Sequence, residues 1–318
     1  MDPLVSIIVI TYNSAEFVLE TLESTKSQTY QDIELVVSDD CSPDTTIEIC
    51  RQWIEKNKKR FIRTEIITTD KNAGIPANCN RGVRAARGEW IKLIAGDDMF
   101  EPTAIESAVD YINKNSFVEV FDSKVSYYNR DFSNLMLIFN EESPDFYQEG
   151  ISSDTQLRIL ANNLNRDRII STLGVFLKRD LINRLGGFDE DYPLLEDTPM
   201  WVKILKSGVK FYFLDSFTMK YRIHNHSVSF NDKTKEDLIL SGFEIMLSKC
   251  NRDYFFPHLT FINKLNVLWL TLVHKIVLAT GNKGIGASLA LRIGASLQPV
   301  RILWFKRKFK KIFKRAGS

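Results

Sequence analysis

Cysteine is sparse in this chain of 318 residues. The four, Cys41, Cys50, Cys79 and Cys250, are scattered with no C-x-x-C pair, so neither a disulfide framework nor a zinc site is suggested. The sequence shows no secretory signal peptide at its start, and a reducing, cytoplasmic setting is the expectation. Long apolar runs are missing too. The stretch NKLNVLWLTLVHKIVLATG is interrupted by Lys264, Asn266, His274 and Lys275, short of the roughly 18 unbroken apolar residues that mark a spanning helix, so no membrane span is expected. No G-x-G-x-x-G follows the first predicted strand, which disfavours a dinucleotide-dependent oxidoreductase. The TYNSAEF that stands there also lacks the glycine and basic residues of a phosphate loop, which disfavours a nucleotidyltransferase. No repeat of fixed period is evident.

The overall composition, 44% hydrophobic and 26% charged, is that of a globular chain with enough apolar residues for one large core or two domains. Charge is unevenly placed. The net charge is +2, yet residues 301–318 hold eight Lys or Arg and no acid, which leaves residues 1–300 at −6. A mildly acidic body with a strongly basic tail follows.

Along the chain, LVSIIVITYN is a continuous β-branched run, the pattern of a strand buried on both faces. Ser14 then suits a helix N-cap, with Phe17, Val18 and Leu22 at helical spacing. IELVVSDD repeats the strand signal and SPDTTIEICRQWIEK the helix signal, with Ser42 as cap and Pro43 in the first turn. TEIITT, a helix from about Pro76 to Ala86, and EWIKLIA continue the alternation, which predicts an α/β open, mostly parallel sheet flanked by helices. Beyond Met99 the spacing predicts a helix over PTAIESAVDYINKN, a strand or hairpin over FVEVFDSKVSYYN and an irregular, aromatic-rich loop over 131–150. A helix over 155–164, the strand STLGVFLKR and an amphipathic helix carrying Trp201, Ile204 and Leu205 come next. Two strands, KFYFLD and FTMKYRIH, close the body, and helix is expected from about Thr234. The domain reading is a catalytic body over 1–230 and a helical C-terminal extension over 231–318.

Open α/β sheets bind ligands at the C-terminal ends of their strands. Polar clusters stand at four successive ends: TYN (11–13), SDDCS (38–42), DKNAG (70–74) and GDD (96–98). Two adjacent acids such as Asp97 and Asp98 raise each other's pKa, a cost that a cation or reacting group would offset. The same acids also suit turns and helix caps.

The ordered succession VSIIVITYN, VVSDDCSPD, NAGIPANCNRG, KLIAGDDMF and GGFDEDYPLLEDTPMW resembles the family 2 glycosyltransferases, whose nucleotide-sugar-dependent members share the GT-A fold. The resemblance covers roughly residues 4–229. It implies an inverting transfer of a sugar from a nucleotide-diphosphate donor, a UDP-sugar, to a hydroxyl of a glycan or lipid-linked glycan, as in surface polysaccharide biosynthesis. A nucleotidyltransferase-like enzyme, or a nucleotide- or membrane-binding module without catalysis, is the alternative.

Such a transfer needs a divalent cation, Mn²⁺ or Mg²⁺, at the leaving diphosphate and a carboxylate base at the acceptor. The resemblance assigns the D-x-D metal motif to Asp97 and Asp98, with Ala95 in place of the usual first acid, and a third ligand to His224 or His226. It assigns the nucleotide to Thr11, Tyr12, Asn13, Asp39, Lys71, Asn72, Gly74 and Asn78, with Arg81 toward the diphosphate and Cys41 where glycine is frequent. Asp197 is the implied base, and Asp98, Gly186, Gly187 and Glu196 border the donor sugar and acceptor. Hard cations take one or two carboxylates plus phosphate oxygens, so the acids present are of the required type. His224 and His226, two apart on a strand, would share a face.

In the tail, Ile302, Phe305, Phe309 and Ile312 recur at helical spacing with Lys and Arg on the other faces. An amphipathic helix of that kind lies in an anionic membrane interface. Peripheral contact with the inner face of the cytoplasmic membrane is therefore expected, and no nucleic acid.

Overall fold

The structure, a computed structural model, describes residues 2–139, 145–163, 169–224 and 240–299. His226, the basic tail and the expected helix onset at Thr234 lie outside the described residues. Two compact units are formed, Met1–Gln156 with Asp167–His224, and Leu157–Arg166 with Asn225–Ser318.

The first unit is built on strands β1 (Val5–Thr11), β2 (Ile33–Asp39), β3 (Arg63–Ile67), β4 (Trp90–Ala95), β5 (Met99–Phe100), β6 (Val120–Tyr128), β7 (Leu135–Phe139), β8 (Phe176–Lys178) and β9 (Tyr212–Arg222). Their order is β3-β2-β1-β4-β8-β6-β9-β5, with β7 on β6. β1 to β4 pair in parallel, as the alternation of strand and helix requires, and Ile7, Ile8, Val9, Leu35, Val36 and Val37 are fully buried because helices cover both faces. The far half is mixed: β8 runs antiparallel to both β4 and β6, and β9 runs parallel to β6. The sheet is thus uniformly parallel only in its first half, because the connections after β5 are not uniform βα units.

Helices α1 (Val18–Lys26), α2 (Thr46–Asn57), α3 (Ile75–Ala85) and α4 (Ala104–Lys114) pack on the sheet, with α5 (Ser153–Asn162), α6 (Arg179–Arg184) and α7 (Asp197–Lys206) later in the chain. The core joins Val18 and Leu22 of α1, Trp53 of α2 and Ile105 and Val109 of α4 to Val9, Val37, Trp90 and Phe121 of the strands.

Three local expectations shift. α1 begins at Val18 rather than at Ser14, whose carbonyl instead receives the amides of Phe17 and Val18 in a preceding turn. Part of the predicted loop over 131–150 is β7, paired antiparallel with β6. KFYFLD and FTMKYRIH are one strand, β9, whose register against β6 slips around Lys124 and so absorbs the polar Asp215 and Ser216.

The second unit contains α8 (Gly242–Cys250), α9 (Phe261–Ala279) and α10 (Gly284–Ser296). A capping box opens α8: Ser241 Oγ accepts from Glu244 N, and Glu244 accepts from Ser241 N. Leu240, Val273, Val277 and Ala287 form its small core. By length and composition α9 is a helix able to cross a membrane, the one such among the described residues. The interruptions at Lys264, Asn266, His274 and Lys275 do not prevent this, because average hydropathy over the window stays high.

Candidate active site

The register that sets Thr11 beside Asp39 lets the ends of β1 and β2 clasp each other. Thr11 Oγ1 donates to Asp39 Oδ1 at 2.8 Å, Ser42 donates to Asp39 through its amide (2.8 Å) and hydroxyl (2.5 Å), and Asn13 N donates to Ser42 Oγ at 2.9 Å. Ser42 is thus part of the clasp, and α2 starts only at Thr46, whose amide is received by Asp44 Oδ1. Asn13 and Cys41 both pass through the left-handed region, at φ 53° and 65°. Asp39 is buried, while Tyr12 stands half exposed beside it.

Asp40 holds the third strand-end loop. Its carboxylate accepts from Gly74 N at 2.8 Å and from Ala73 N at 3.1 Å, and Arg81 reaches Oδ1 at 2.5 Å. Arg81, expected to face a diphosphate, is therefore committed to Asp40. Asn78 is buried with its amide engaged on both sides, accepting from Ser38 Oγ at 2.6 Å and donating to Thr11 O at 3.2 Å. It ties α3 to the ends of β1 and β2. Lys71 and Asn72 are exposed on the same loop. Gly74, at φ +92°, lies so close to Pro193 that a Cβ would come within 2.6 Å of it. This contact joins the 70–74 loop to the segment that leads into α7.

At the end of β4, Gly96 lets the chain lie against the β1 loop, since a Cβ there would meet Thr11 Cγ2 at 2.9 Å and Ser14 Cβ at 3.0 Å. The two acids that follow have different surroundings. Asp97 Oδ2 lies 2.9 Å from His224 Nε2, and its side chain is about 29% exposed. Asp98 is buried; Oδ1 accepts from Arg222 N at 2.9 Å, and its carbonyl accepts from Thr21 Oγ1 at 2.7 Å. Burial, and next the charge of Asp97, push the Asp98 carboxyl well above the usual carboxylate range. Ala95, where the resemblance expects an acid, brings no polar side-chain atom; its carbonyl accepts from Asp98 N at 3.3 Å.

Arg222 was not singled out by the sequence, although it shares the i, i+2 spacing with His224. Its guanidinium is 2% exposed and lies between the rings of Phe17 and Phe132, each centroid 4.3 Å away. It donates to the Asp97 carbonyl at 2.8 Å, to Arg130 O, and to Glu20 at 2.8 Å. The backbone of Asp97 and the amide that receives Asp98 are thus fixed by one residue.

Asp197 is the first residue of α7. Oδ2 accepts from Thr172 Oγ1 at 3.1 Å, and Oδ1 accepts from Thr198 N at 2.5 Å, as an acid at a helix N-terminus should. Glu196 precedes it, close enough for its charge to add to the burial that pushes the Cys79 thiol up. The turn 172–174 that carries Thr172 also accepts the ammonium of Lys92 at the carbonyl of Leu173. Lys92, on β4, is buried over the ring of Phe176 at 4.4 Å. Burial lowers its pKa to about 7, with the charges of Asp122 and Asp98 acting in the opposite sense. Asp122 accepts from Tyr147 Oη at 2.6 Å and from Ser171 N at 3.1 Å. Lys92 thus feels the charge of Asp98 and holds the 172–174 turn, whose Thr172 in turn bonds the part-buried Asp197.

Gly186 and Gly187, both at positive φ, form a turn on the other side of α3, where Phe188 N donates to Asn80 Oδ1 at 2.8 Å and Asn80 Nδ2 donates to Glu190 at 2.7 Å. They shape the segment before Asp197, and the structure does not join them to the Asp97 cluster.

Among the described residues no group of three or more His, Cys, Asp or Glu is placed to hold a metal. Asp97 and His224 do converge, however, one oxygen and one nitrogen donor at 2.9 Å. A hard divalent ion that keeps several waters and draws the rest of its ligands from substrate phosphates asks for no more than one or two side chains. The donor set fits such an ion; Asp98, the other expected ligand, is buried beside it with Oδ1 accepting from Arg222 N.

Residues 6–168 match the family described as Glycosyl transferase family 2. Among curated proteins, the Escherichia coli UDP-Glc:alpha-D-GlcNAc-diphosphoundecaprenol beta-1,3-glucosyltransferase WfaP is 28% identical over 235 residues, covering 73% of this chain and 82% of WfaP. Among solved structures, S. aureus TarS 1-349 in complex with UDP-GlcNAc has a TM-score of 0.57 at 18% identity, over 84% of this chain and 71% of that one. Another structure of TarS 1-349, with a TM-score of 0.52 at 19% identity, is matched over 69% of this chain and 60% of its own length. The mannosyltransferase PcManGT from Pyrobaculum calidifontis, in complex with GDP-Man and Mn²⁺, has a TM-score of 0.52 at 19% identity, over 96% of this chain and 83% of its own. These three structural likenesses speak for a shared GT-A fold. A family match over half the chain, set on that fold, makes this protein a glycosyltransferase that belongs to glycosyl transferase family 2.

Proposed function

We propose that this glycosyltransferase is an inverting, divalent-metal-dependent enzyme that moves a hexosyl or N-acetylhexosaminyl group from a UDP-sugar to a hydroxyl of a lipid-linked glycan in surface polysaccharide biosynthesis. The observation that carries the reading is the convergence of Asp97 and His224 at one strand-end crevice with the Thr11–Asp39 clasp. Asp97 and His224 would hold the ion, which when bound supplies charge stabilisation to a departing diphosphate.

The remaining steps belong to the chain's own residues. Thr11, Tyr12, Asn13 and Asp39 receive the nucleoside, where a carboxylate accepts from a uracil N–H, and Lys71, Asn72 and Gly74 border the nucleotide. Asp197 takes the proton of the acceptor hydroxyl. The acceptor oxygen attacks the anomeric carbon as the bond to the diphosphate oxygen breaks, so configuration inverts and the diphosphate leaves with the electron pair. Thr172 and Thr198 hold the Asp197 carboxylate for that transfer, and Glu196, Asp98, Gly186 and Gly187 shape the sugar and acceptor side.

UDP is favoured by the donors named for WfaP and TarS, and a polyprenyl-diphosphate-linked acceptor by the reaction named for WfaP. The basic tail favours work at the inner face of the cytoplasmic membrane. The test is a donor panel with Mn²⁺ or Mg²⁺, reading hydrolysis and transfer for the wild type, Asp97→Asn and Asp197→Asn. One nucleotide sugar should be turned over, and both variants should fall. Unchanged turnover in both variants sinks the assignment.

A further inference from the structure

The described part of the second unit carries an apolar surface that its own core does not use. Along α9, Phe261, Leu265, Leu268, Leu272 and Ile276 recur at steps of three and four residues and are all exposed, so they form one stripe. On α10 Ile285, Leu289 and Ile293 repeat the pattern, with Ile285 at 88% exposure. The opposite side of α9 is occupied. Val267, Val273 and Val277 are buried, Trp269 Nε1 donates to Gly294 O at 2.7 Å, and Gly294 is packed so closely on Val273 that a Cβ would meet it at 2.4 Å. A helix held in this way can offer one side to lipid but not its whole circumference.

Charge names the partner. From Tyr254 to Ser318 the sequence holds twelve Lys or Arg and no Asp or Glu. Lys275 and Arg292, exposed on the two helices, stand next to the stripes in the helical projection. Apolar side chains bordered by cations, with no acid for sixty-odd residues, match a surface of acyl chains under anionic headgroups.

We propose that α9 docks lengthwise into the interface of an anionic bilayer, its Phe261–Ile276 stripe among the acyl chains, so that the helices anchor the enzyme and the basic tail adds to them. This rests on the reading above that the enzyme works at a membrane, and it names the element that holds it there. A membrane-bound α9 sits in the plane of the bilayer and does not cross it.

The test is flotation of the full chain with vesicles of phosphatidylcholine alone or mixed with phosphatidylglycerol, at low and high salt. The chain should float with the mixed vesicles, less at high salt, and be released by alkaline carbonate. Leu268→Glu combined with Leu272→Glu should cut flotation roughly tenfold or more while soluble donor hydrolysis stays at the wild-type level, which shows the variant is folded. In Leu268→Trp, the added fluorescence should be quenched by brominated lipid. No flotation of the wild type, wild-type flotation of the double variant, an unquenched Trp, or resistance to carbonate, which marks a spanning helix, each overturns the proposal. Flotation as expected with no nucleotide sugar turned over upholds the docking and counts against the proposed reaction instead.

Discussion

Asp97 and His224 are 127 positions apart in the chain, yet Oδ2 and Nε2 lie 2.9 Å from each other. β5 and β9 bring them together, since Met99 pairs with Lys220 and the two side chains follow from adjoining strand ends. If they hold one ion, removing either affects it differently. Asp97→Asn removes the charged donor and should lower donor turnover by roughly 10²–10³-fold at every Mn²⁺ concentration. His224→Ala removes a neutral donor and should raise the Mn²⁺ needed for half activation about 10- to 100-fold, with activity returning at saturation. A Mn²⁺ titration of donor hydrolysis separates the two patterns.

Thr172 supports Asp197 through one hydrogen bond of 3.1 Å. Thr172→Val should cost a factor of about ten to a hundred in kcat, the worth of a hydrogen bond to a charged group. The Mn²⁺ requirement should stay unchanged, because Thr172 touches the base and not the metal pair. Steady-state kinetics of transfer at saturating metal checks it; a shift in metal requirement with no change in kcat would contradict the assignment.

Arg222 is fixed by two aromatic rings and three acceptors while almost wholly buried. Arg222→Met keeps much of the apolar stem but leaves the Asp97 and Arg130 carbonyls unpaired, and should destabilise by about 2–4 kcal/mol. Arg222→Lys should not restore the loss, because an ammonium cannot fill a planar slot between two rings. Urea unfolding of the three proteins gives the comparison.

The sequence was informative where burial and period coincide. The runs behind β1, β2 and β4 are β-branched throughout because both faces are covered, and the four polar clusters stand at the strand ends where the expectation put them. β7 was missed because Leu135, Met136 and Leu137 are all exposed, so no alternation separates an inner from an outer face. The roles of Arg222 and Asp122 depend on partners far along the chain, which periodicity does not encode. Lys92 was closer to legible: a lysine in the middle of EWIKLIA, in a strand buried on both faces, has to be buried itself.

Cys41 shows that a departure from family pattern can be read as a cost. The resemblance puts glycine there, and the backbone at φ 65° is the left-handed conformation that glycine adopts freely. A side chain in that region costs roughly 1 kcal/mol. Cys41→Gly should therefore leave stability unchanged or raise it by up to about 1 kcal/mol, after the greater entropy of glycine in the unfolded chain is subtracted. Donor hydrolysis should be retained. A fall in melting temperature would mean that the Cys41 side chain supplies packing worth more than the backbone strain.

Lys92 and Asp122 give the stability a pH dependence with opposite signs in two windows. Burial takes Lys92 from 10.5 to about 7, so between those values the folded protein binds fewer protons than the unfolded chain, and stability rises with pH. It is fully present above 10.5 and lost as pH falls through about 7. Burial takes Asp122 from 3.8 to about 6, so in that window the folded protein binds more protons, and stability is greatest below 3.8 and lost as pH rises through about 6. Lys92→Met deletes the first window. Compared with the wild type, its unfolding free energy should lack the gain between pH 7 and 10, a difference on the order of a few kcal/mol. On the acid side the variant should lose stability over a wider range than the wild type, because the charge that favours ionised Asp122 and Asp98 has gone and both carboxyls then titrate higher. Urea unfolding of the two proteins at intervals from pH 4 to pH 10 measures both effects, and parallel curves above pH 7 would show that burial does not keep the Lys92 amine neutral.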